Sequence, residues 1–168
     1  YRFRQMPDEF ISDWLKVAQE EARHFTLINQ HLQDTGSGYG EFSAHNGLWD
    51  MVCKTREDVL HRMALVPRVM EARGLDVTPG LMQRFKAVGD QRTVDILQII
   101  YDDEIGHVEI GNHWYHYCCE QRALEPKATF RELVQRYFDG PLRGPFNHQA
   151  RLAAGFSEDE LTQLENTL

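Results

Sequence analysis

Apolar residues recur three and four positions apart along most of the chain, as they do on the buried face of an amphipathic helix. The alternation of apolar and polar residues that is typical of a half-buried strand is not sustained in any segment. The pattern therefore predicts an all-α protein. Three long helices are predicted, over residues 7–33, 48–73 and 91–122.

Proline, glycine and acidic residues mark the predicted helix ends. Pro7 suits the first turn of the first helix, and Asp90 can cap the third. In the second helix we expect Pro67 to cause a kink and Gly74 to end the helix. Shorter helices are predicted from Thr78-Pro79 to about Gly89, and from two capping boxes, Thr129 to Glu132 and Ser157 to Glu160.

Two Glu-x-x-His motifs lie in the middle of apolar stripes on long helices. On the first helix, steps of three and four residues pass through Phe10, Trp14, Val17, Glu21, His24 and Ile28. On the third long helix they pass through Leu97, Ile100, Glu104, His107 and Trp114. Both motifs are therefore predicted to face the core.

A buried carboxylate needs a compensating cation. A Glu-x-x-His pair from each of two helices, with a single Glu from each of the other two, is the di-metal site of ferritin-like bundles. Carboxylates with one imidazole per metal favour iron, with manganese as the alternative, over zinc. The competing interpretation is that these residues form salt bridges with arginines such as Arg23 or Arg62 in an ordinary bundle.

The middle helix is expected to supply a lone glutamate. Its apolar stripe contains two candidates, Glu57 and Glu71, and the spacing does not choose between them. Asp103 lies about 100° around the helix from Glu104 and could orient a ligand imidazole, or it could be a surface acid. His113 and His116 share a polar face, which is typical of a solvated surface.

Composition narrows the classes of partner. The 168 residues contain 18 Lys and Arg against 26 Asp and Glu, a formal charge of -8, so a nucleic-acid partner is not expected. No apolar stretch is long enough to span a membrane. The three cysteines, Cys53, Cys118 and Cys119, are typical of reduced thiols, and we expect a soluble, cytoplasmic protein.

Four segments closely resemble the ferritin-like bacterial family known as domain of unknown function 455: residues 20–25, 62–76, 103–108 and 142–147. The resemblance implies a ferritin-like four-helix bundle and favours Glu71 as the lone ligand. It also implies a preceding helix that carries another glutamate ligand. Because the sequence begins at Tyr1 without a Met, we expect three of the four bundle helices and five of six ligands here.

The expected function is that of a di-iron, or iron and manganese, carboxylate protein. It would activate O₂ to oxidise or hydroxylate a small-molecule or macromolecular substrate. The alternatives are a ferritin-like iron-binding protein, an enzyme like the ferritin-like tRNA hydroxylases, which the charge disfavours, and a purely structural bundle. We expect a bundle core over 1–125 and a C-terminal helical extension over 126–168. The chain is expected to associate with copies of itself or with a preceding segment.

Overall fold

The computed structural model describes residues 2–140 and 142–166. Within these ranges the chain is helical and contains no strand, so the all-α prediction is confirmed. The helices are α1 (Asp8–Asp34), α2 (Gly47–Lys54), α3 (Val59–Leu65), α4 (Ala72–Ala87), α5 (Gln91–Gln121), α6 (Pro126–Tyr137), α7 (His148–Ala153) and α8 (Glu158–Asn166), with a π-helical segment (Val66–Glu71) between α3 and α4. None of the described helices combines the length and apolar character that a membrane span requires.

Helices α1 and α5 begin where their local sequence predicts. Pro7 immediately precedes α1, whose first turn is acidic. The side chain of Asp90 caps α5, because one carboxylate oxygen accepts a hydrogen bond from the Thr93 backbone N–H at 3.0 Å and the other from its hydroxyl at 2.6 Å. These two helices carry the two Glu-x-x-His motifs.

The prediction of one continuous helix over 48–73 was wrong. Helix α2 ends at Lys54, and a turn separates it from α3. The carboxylate of Asp58 accepts a hydrogen bond from the Leu60 backbone N–H at 2.8 Å and so caps α3. An aspartate side chain can replace the carbonyl of a preceding helical turn, and a new helix begins where it does so.

The expected break at Gly74 and the separate helix beginning at Thr78-Pro79 were also wrong. Pro67 lies in the π-helical segment, and α4 then continues without interruption through Gly74 and Pro79 to Ala87. The π-helical segment accommodates the ring of Pro67. Pro79 lies inside α4, where a proline removes one backbone hydrogen bond but does not end this helix. The first turn of α4 is held by Ala72 and Leu75, both fully buried, and this packing outweighs the cost of about 1 kcal/mol of a helical glycine.

The C-terminal helices differ in part from their prediction. The Ser157 to Glu160 capping box is confirmed, with the Ser157 N–H donating to Glu160 Oε2 at 2.9 Å. Helix α6 begins instead at Pro126. The side chain of Glu125 caps it by accepting hydrogen bonds from the backbone N–H groups of Lys127 and Ala128, so Thr129 is not its cap. Helix α7, capped by Asn147, was not predicted.

The chain forms two compact units, each built from two separate stretches. The first unit combines the described residues of 1–46 and 78–103, and the second combines those of 47–77 and 104–168. This grouping does not test the expected division at residue 125, which stays a prediction.

Two buried ion pairs cross the interior of the second unit. Arg68, in the π-helical segment, binds Glu160 of α8 at 2.6 Å. Asp76 of α4 binds Arg151 of α7 through both carboxylate oxygens, at 2.7 and 2.8 Å. Each buried charge is compensated by its partner, so these pairs fix α8 and α7 to the middle of the chain.

Candidate metal centre

The first Glu-x-x-His pair lies on α1, in the first unit. His24 is buried, with 4% of its side chain exposed, whereas Glu21 is 51% exposed. His24 Nδ1 and Glu21 Oε1 are 3.3 Å apart. The core-facing prediction therefore agrees with the position of His24, and the carboxylate beside it reaches solvent.

Asp103 of α5 contacts the other nitrogen of the same imidazole. Its Oδ2 lies 2.8 Å from His24 Nε2 and 2.7 Å from Arg23 Nη2. An ionised carboxylate only accepts hydrogen bonds, so Nε2 of His24 is the donor. Asp103 thus orients the imidazole, as one of its two predicted roles requires, and Arg23 anchors Asp103.

This hydrogen bond decides which nitrogen of the His24 ring could bind a cation. In a neutral imidazole whose Nε2 carries the proton, Nδ1 presents a lone pair. That lone pair faces the Glu21 carboxylate at 3.3 Å, which is repulsive unless a second proton or a metal ion lies between them. Two ligands at right angles, each about 2.1 Å from one metal ion, are about 3 Å apart, close to the observed separation.

The second pair, on α5, belongs to the second unit and has a similar arrangement. His107 is buried, and its Nδ1 lies 3.5 Å from Oε2 of Glu104. Within the described part of the chain, no group donates a hydrogen bond to that buried oxygen of Glu104. Such an oxygen costs about 1–3 kcal/mol unless a cation compensates it. Carboxylate oxygen and imidazole nitrogen are donors suited to iron or manganese.

The structure places the two candidates for the lone ligand in different environments. Glu71 is the last residue of the π-helical segment, and its Oε2 is buried. Glu57 lies in the turn between α2 and α3, is 77% exposed and contacts Arg56 at 2.8 Å. Glu71 is therefore the more buried of the two candidates, and its role as a metal ligand stays a prediction.

The π-helical segment itself was not foreseen from the sequence. Single π-helical turns are frequent at functional sites because they rotate the side chains that follow. The signal in the sequence is Pro67, which indicates a distortion without specifying that the turn widens. Glu71 ends this segment, so its direction could not be obtained from an undistorted helical period.

Other histidines have partners that explain them without a metal. His31 Nε2 lies 2.8 Å from Thr93 Oγ1 at the start of α5. His61 Nδ1 lies 2.9 Å from the Tyr137 hydroxyl. His113 and His116 are exposed, as their polar face predicts.

Comparison with known proteins gives the family. The family model described as "Protein of unknown function (DUF455)" matches residues 1–162. The chain belongs to this family. A protein of Haemophilus influenzae named "Uncharacterized protein" is 49% identical over 162 residues, which cover 95% of this chain and 56% of that relative.

A weaker similarity covers half of the chain. The "Orotidine 5'-phosphate decarboxylase" of Streptococcus thermophilus is 31% identical over 87 residues, 50% of this chain and 34% of that protein. The chain therefore spans about half the length of one relative and a third of the other. No solved structure matches the chain. The resemblance to the family is confirmed, and convergence of the two Glu-x-x-His pairs on one site stays a prediction.

Proposed function

We propose that this chain carries most of the site of a di-metal carboxylate protein with a ferritin-like four-helix bundle, in which iron is the preferred metal and manganese the alternative. The proposed ligands are Glu21, His24, Glu71, Glu104 and His107, with Asp103 behind His24. When bound, the metals would supply O₂ activation for oxidation or hydroxylation of a small-molecule or macromolecular substrate.

One observation carries the proposal: the hydrogen bond between Asp103 and His24. It requires a proton on Nε2, so that in the neutral imidazole the Nδ1 lone pair is turned towards Glu21. A carboxylate behind a ligand histidine fixes the ring and raises its basicity. In the second pair, His107 Nδ1 also lies close to a carboxylate, that of Glu104. A second proton on His24 would not account for this other contact.

The residues of the proposed site would neutralise the metal charge, position Asp103 and leave access to the site. Three glutamates would neutralise most of the charge of two divalent ions, which lowers the cost of keeping them in a partly buried site. Arg23 would hold Asp103 in place through their 2.7 Å ion pair. The exposure of Glu21 would leave one side of the site open to small molecules.

Metal content tests the proposal directly. Full-length protein is purified from cells grown with iron or with manganese, and the metals per chain are counted by mass spectrometry. We expect about two metal ions per chain. A value near zero from both media would contradict the proposal. Bound metal without O₂ consumption would instead favour a non-catalytic, ferritin-like iron-binding protein.

Substitution of the two glutamate candidates tests the ligand set. Glu71→Ala should lower metal occupancy, because it removes a carboxylate with a buried oxygen. Glu57→Ala is the matched control and should leave occupancy unchanged, because Glu57 is exposed. Loss of metal from Glu57→Ala alone would show that the lone ligand is misassigned.

Asp103→Asn tests the role of the residue behind His24. The change removes the negative charge at the imidazole, and we expect metal affinity to fall by about 10- to 100-fold. Asp102→Asn is the control, since Asp102 is the adjacent residue on α5 and its carboxylate accepts a hydrogen bond from the Gln98 side chain. Equal affinities of the two variants, measured by competition with a metal chelator, would remove Asp103 from the site.

A further inference from the structure

The second unit contains a cavity of about 310 Å³ beside α6 and α8. Its wall is mainly apolar and is formed by Phe130, Val134, Phe138, Leu142, Phe156 and Leu164. None of the ligands proposed for the metal site lines it. The cavity is therefore separate in chemistry from the candidate metal centre.

Cationic side chains also line this cavity. Arg68, Lys127 and Arg131 line the cavity, and of the described residues in its wall only Glu160 carries a carboxylate. Glu160 is bound to Arg68, and Lys127 contacts Asp159 at 3.0 Å. Arg131 adds a further positive charge at the exposed side of α6, in a chain whose formal charge is -8.

Lys127 and Arg131 lie four residues apart on α6 and therefore share one face of that helix. Phe130 lies between them in sequence, and it is buried in the wall. An apolar surface next to two cations is complementary to a ligand with an apolar body and an anionic end.

The buried Arg68 keeps the cavity wall in place. Its guanidinium carbon lies 4.4, 4.6 and 4.8 Å from the ring centres of Tyr115, Phe130 and Phe156. Cation–π contacts of this kind, with the ion pair to Glu160, fix two of the aromatic side chains that form the wall. The cavity is thus preformed, which lowers the entropic cost of binding.

The volume limits the size of the ligand. A volume of about 310 Å³ suits a small ligand. This is at the small end of the range of ligand sites. A carboxylate with a short alkyl chain has this size, whereas a phospholipid is several times larger.

We propose that this cavity binds a medium-chain aliphatic monocarboxylate. The alkyl chain lies against Phe130 and Phe156, and the carboxylate pairs with Arg131 and Lys127. The occupant is selected by its charge as well as by its apolar surface. This site is independent of the proposed metal centre.

Calorimetric titration of the full chain with octanoate tests the proposal, with 1-octanol and octylammonium as probes of equal chain length. Octanoate should bind, and octylammonium should bind at least about tenfold more weakly, because it carries the opposite charge. Arg131→Glu should weaken octanoate binding by about tenfold or more while changing 1-octanol binding by less than about twofold.

Arg136→Glu is the matched control, because it makes the same change on α6 at an exposed residue that does not line the cavity. It should leave octanoate binding unchanged. Val134→Phe, which fills the cavity, should weaken both octanoate and octanol, with thermal unfolding used to verify the fold. The proposal is overturned if octanoate does not bind, if octylammonium binds equally well, or if Arg131→Glu and Arg136→Glu behave alike.

Discussion

At the scale of single residues, Gly111 has the tightest surroundings among the glycines compared in the described part of the chain. A Cβ atom added at Gly111 of α5 would lie 2.3 Å from Cβ and 2.4 Å from Cγ of Pro67. These distances are far inside van der Waals contact, so only glycine fits opposite the π-helical segment. Gly106, five residues earlier on the same helix, has no atom within 4 Å of the corresponding position.

The two glycines predict opposite effects of one substitution. Gly111→Ala should lower the free energy of unfolding by about 1–3 kcal/mol, because either α5 or the proline must move. Gly106→Ala should raise it by about 0.5–1 kcal/mol, since alanine favours the helix and finds open space. Urea unfolding measures both. An equal gain from the two variants would show that the contact with Pro67 yields at little cost.

Periodicity anticipated some residue environments and could not anticipate others. It placed His24 and His107 in the interior, where both lie, because a stripe of three and four spacing marks the buried side of a helix. It also placed Glu21 there, although this side chain is half exposed. A helical period gives the direction of a side chain but not how deeply that side chain is buried.

At the scale of helices, the sequence succeeded where capping signals and apolar stripes agreed. The bounds of α1 and α5 were predicted to within one residue because both signals occur at their ends. The region from residue 47 to residue 87 was mispredicted because its local signals compete with packing. Asp58 interrupts an apolar stripe, whereas the buried Leu75 carries a helix through a glycine.

The buried ion pair that ties α8 to Arg68 includes the Glu160 carboxylate, and this contact should be sensitive to acid. Burial alone would raise the pKa of Glu160, but Arg68 and the hydrogen bonds from Ser157 outweigh it and hold the pKa below its usual 4.5. The unfolded chain therefore takes up the proton first as the pH falls. The stabilisation is complete above about pH 4.5 and is lost as the pH falls through the lower pKa of the folded state.

Glu160→Gln should remove this acid sensitivity and, at pH 7, destabilise the fold by about 3–5 kcal/mol, because Arg68 is left buried without a counter-charge. Urea unfolding at several pH values measures both effects. Glu158→Gln, on the exposed surface of the same helix, should change the free energy of unfolding by less than about 0.5 kcal/mol. A wild-type stability independent of acid below pH 5 would contradict the assignment.

At the scale of the whole molecule, the three thiols distinguish surface from interior. Cys53 is exposed, while Cys118 and Cys119 are buried. Burial raises the pKa of Cys118 to about 11 and also raises that of Cys119. The thiolate is the reactive form, so burial and the raised pKa both protect Cys118 and Cys119 from alkylation.

Iodoacetamide at neutral pH should therefore modify one thiol per native chain, that of Cys53, and all three in urea. Mass spectrometry of the intact protein counts the labels, and peptide analysis locates them. Rapid labelling of Cys118 in the native protein would show that the end of α5 opens locally.

The buried ion pairs of the second unit join residues that are far apart in the chain. Glu160 lies 92 positions after Arg68, and Arg151 lies 75 positions after Asp76. A ribosome adds about 5–20 residues each second, so Arg68 leaves it roughly 5–18 seconds before its partner. During that interval the nascent chain contains two charges and an apolar surface that become buried only in the folded protein. A chaperone that covers residues 59–77 during translation should increase the yield of folded protein most, and slower translation before residue 151 should lower it.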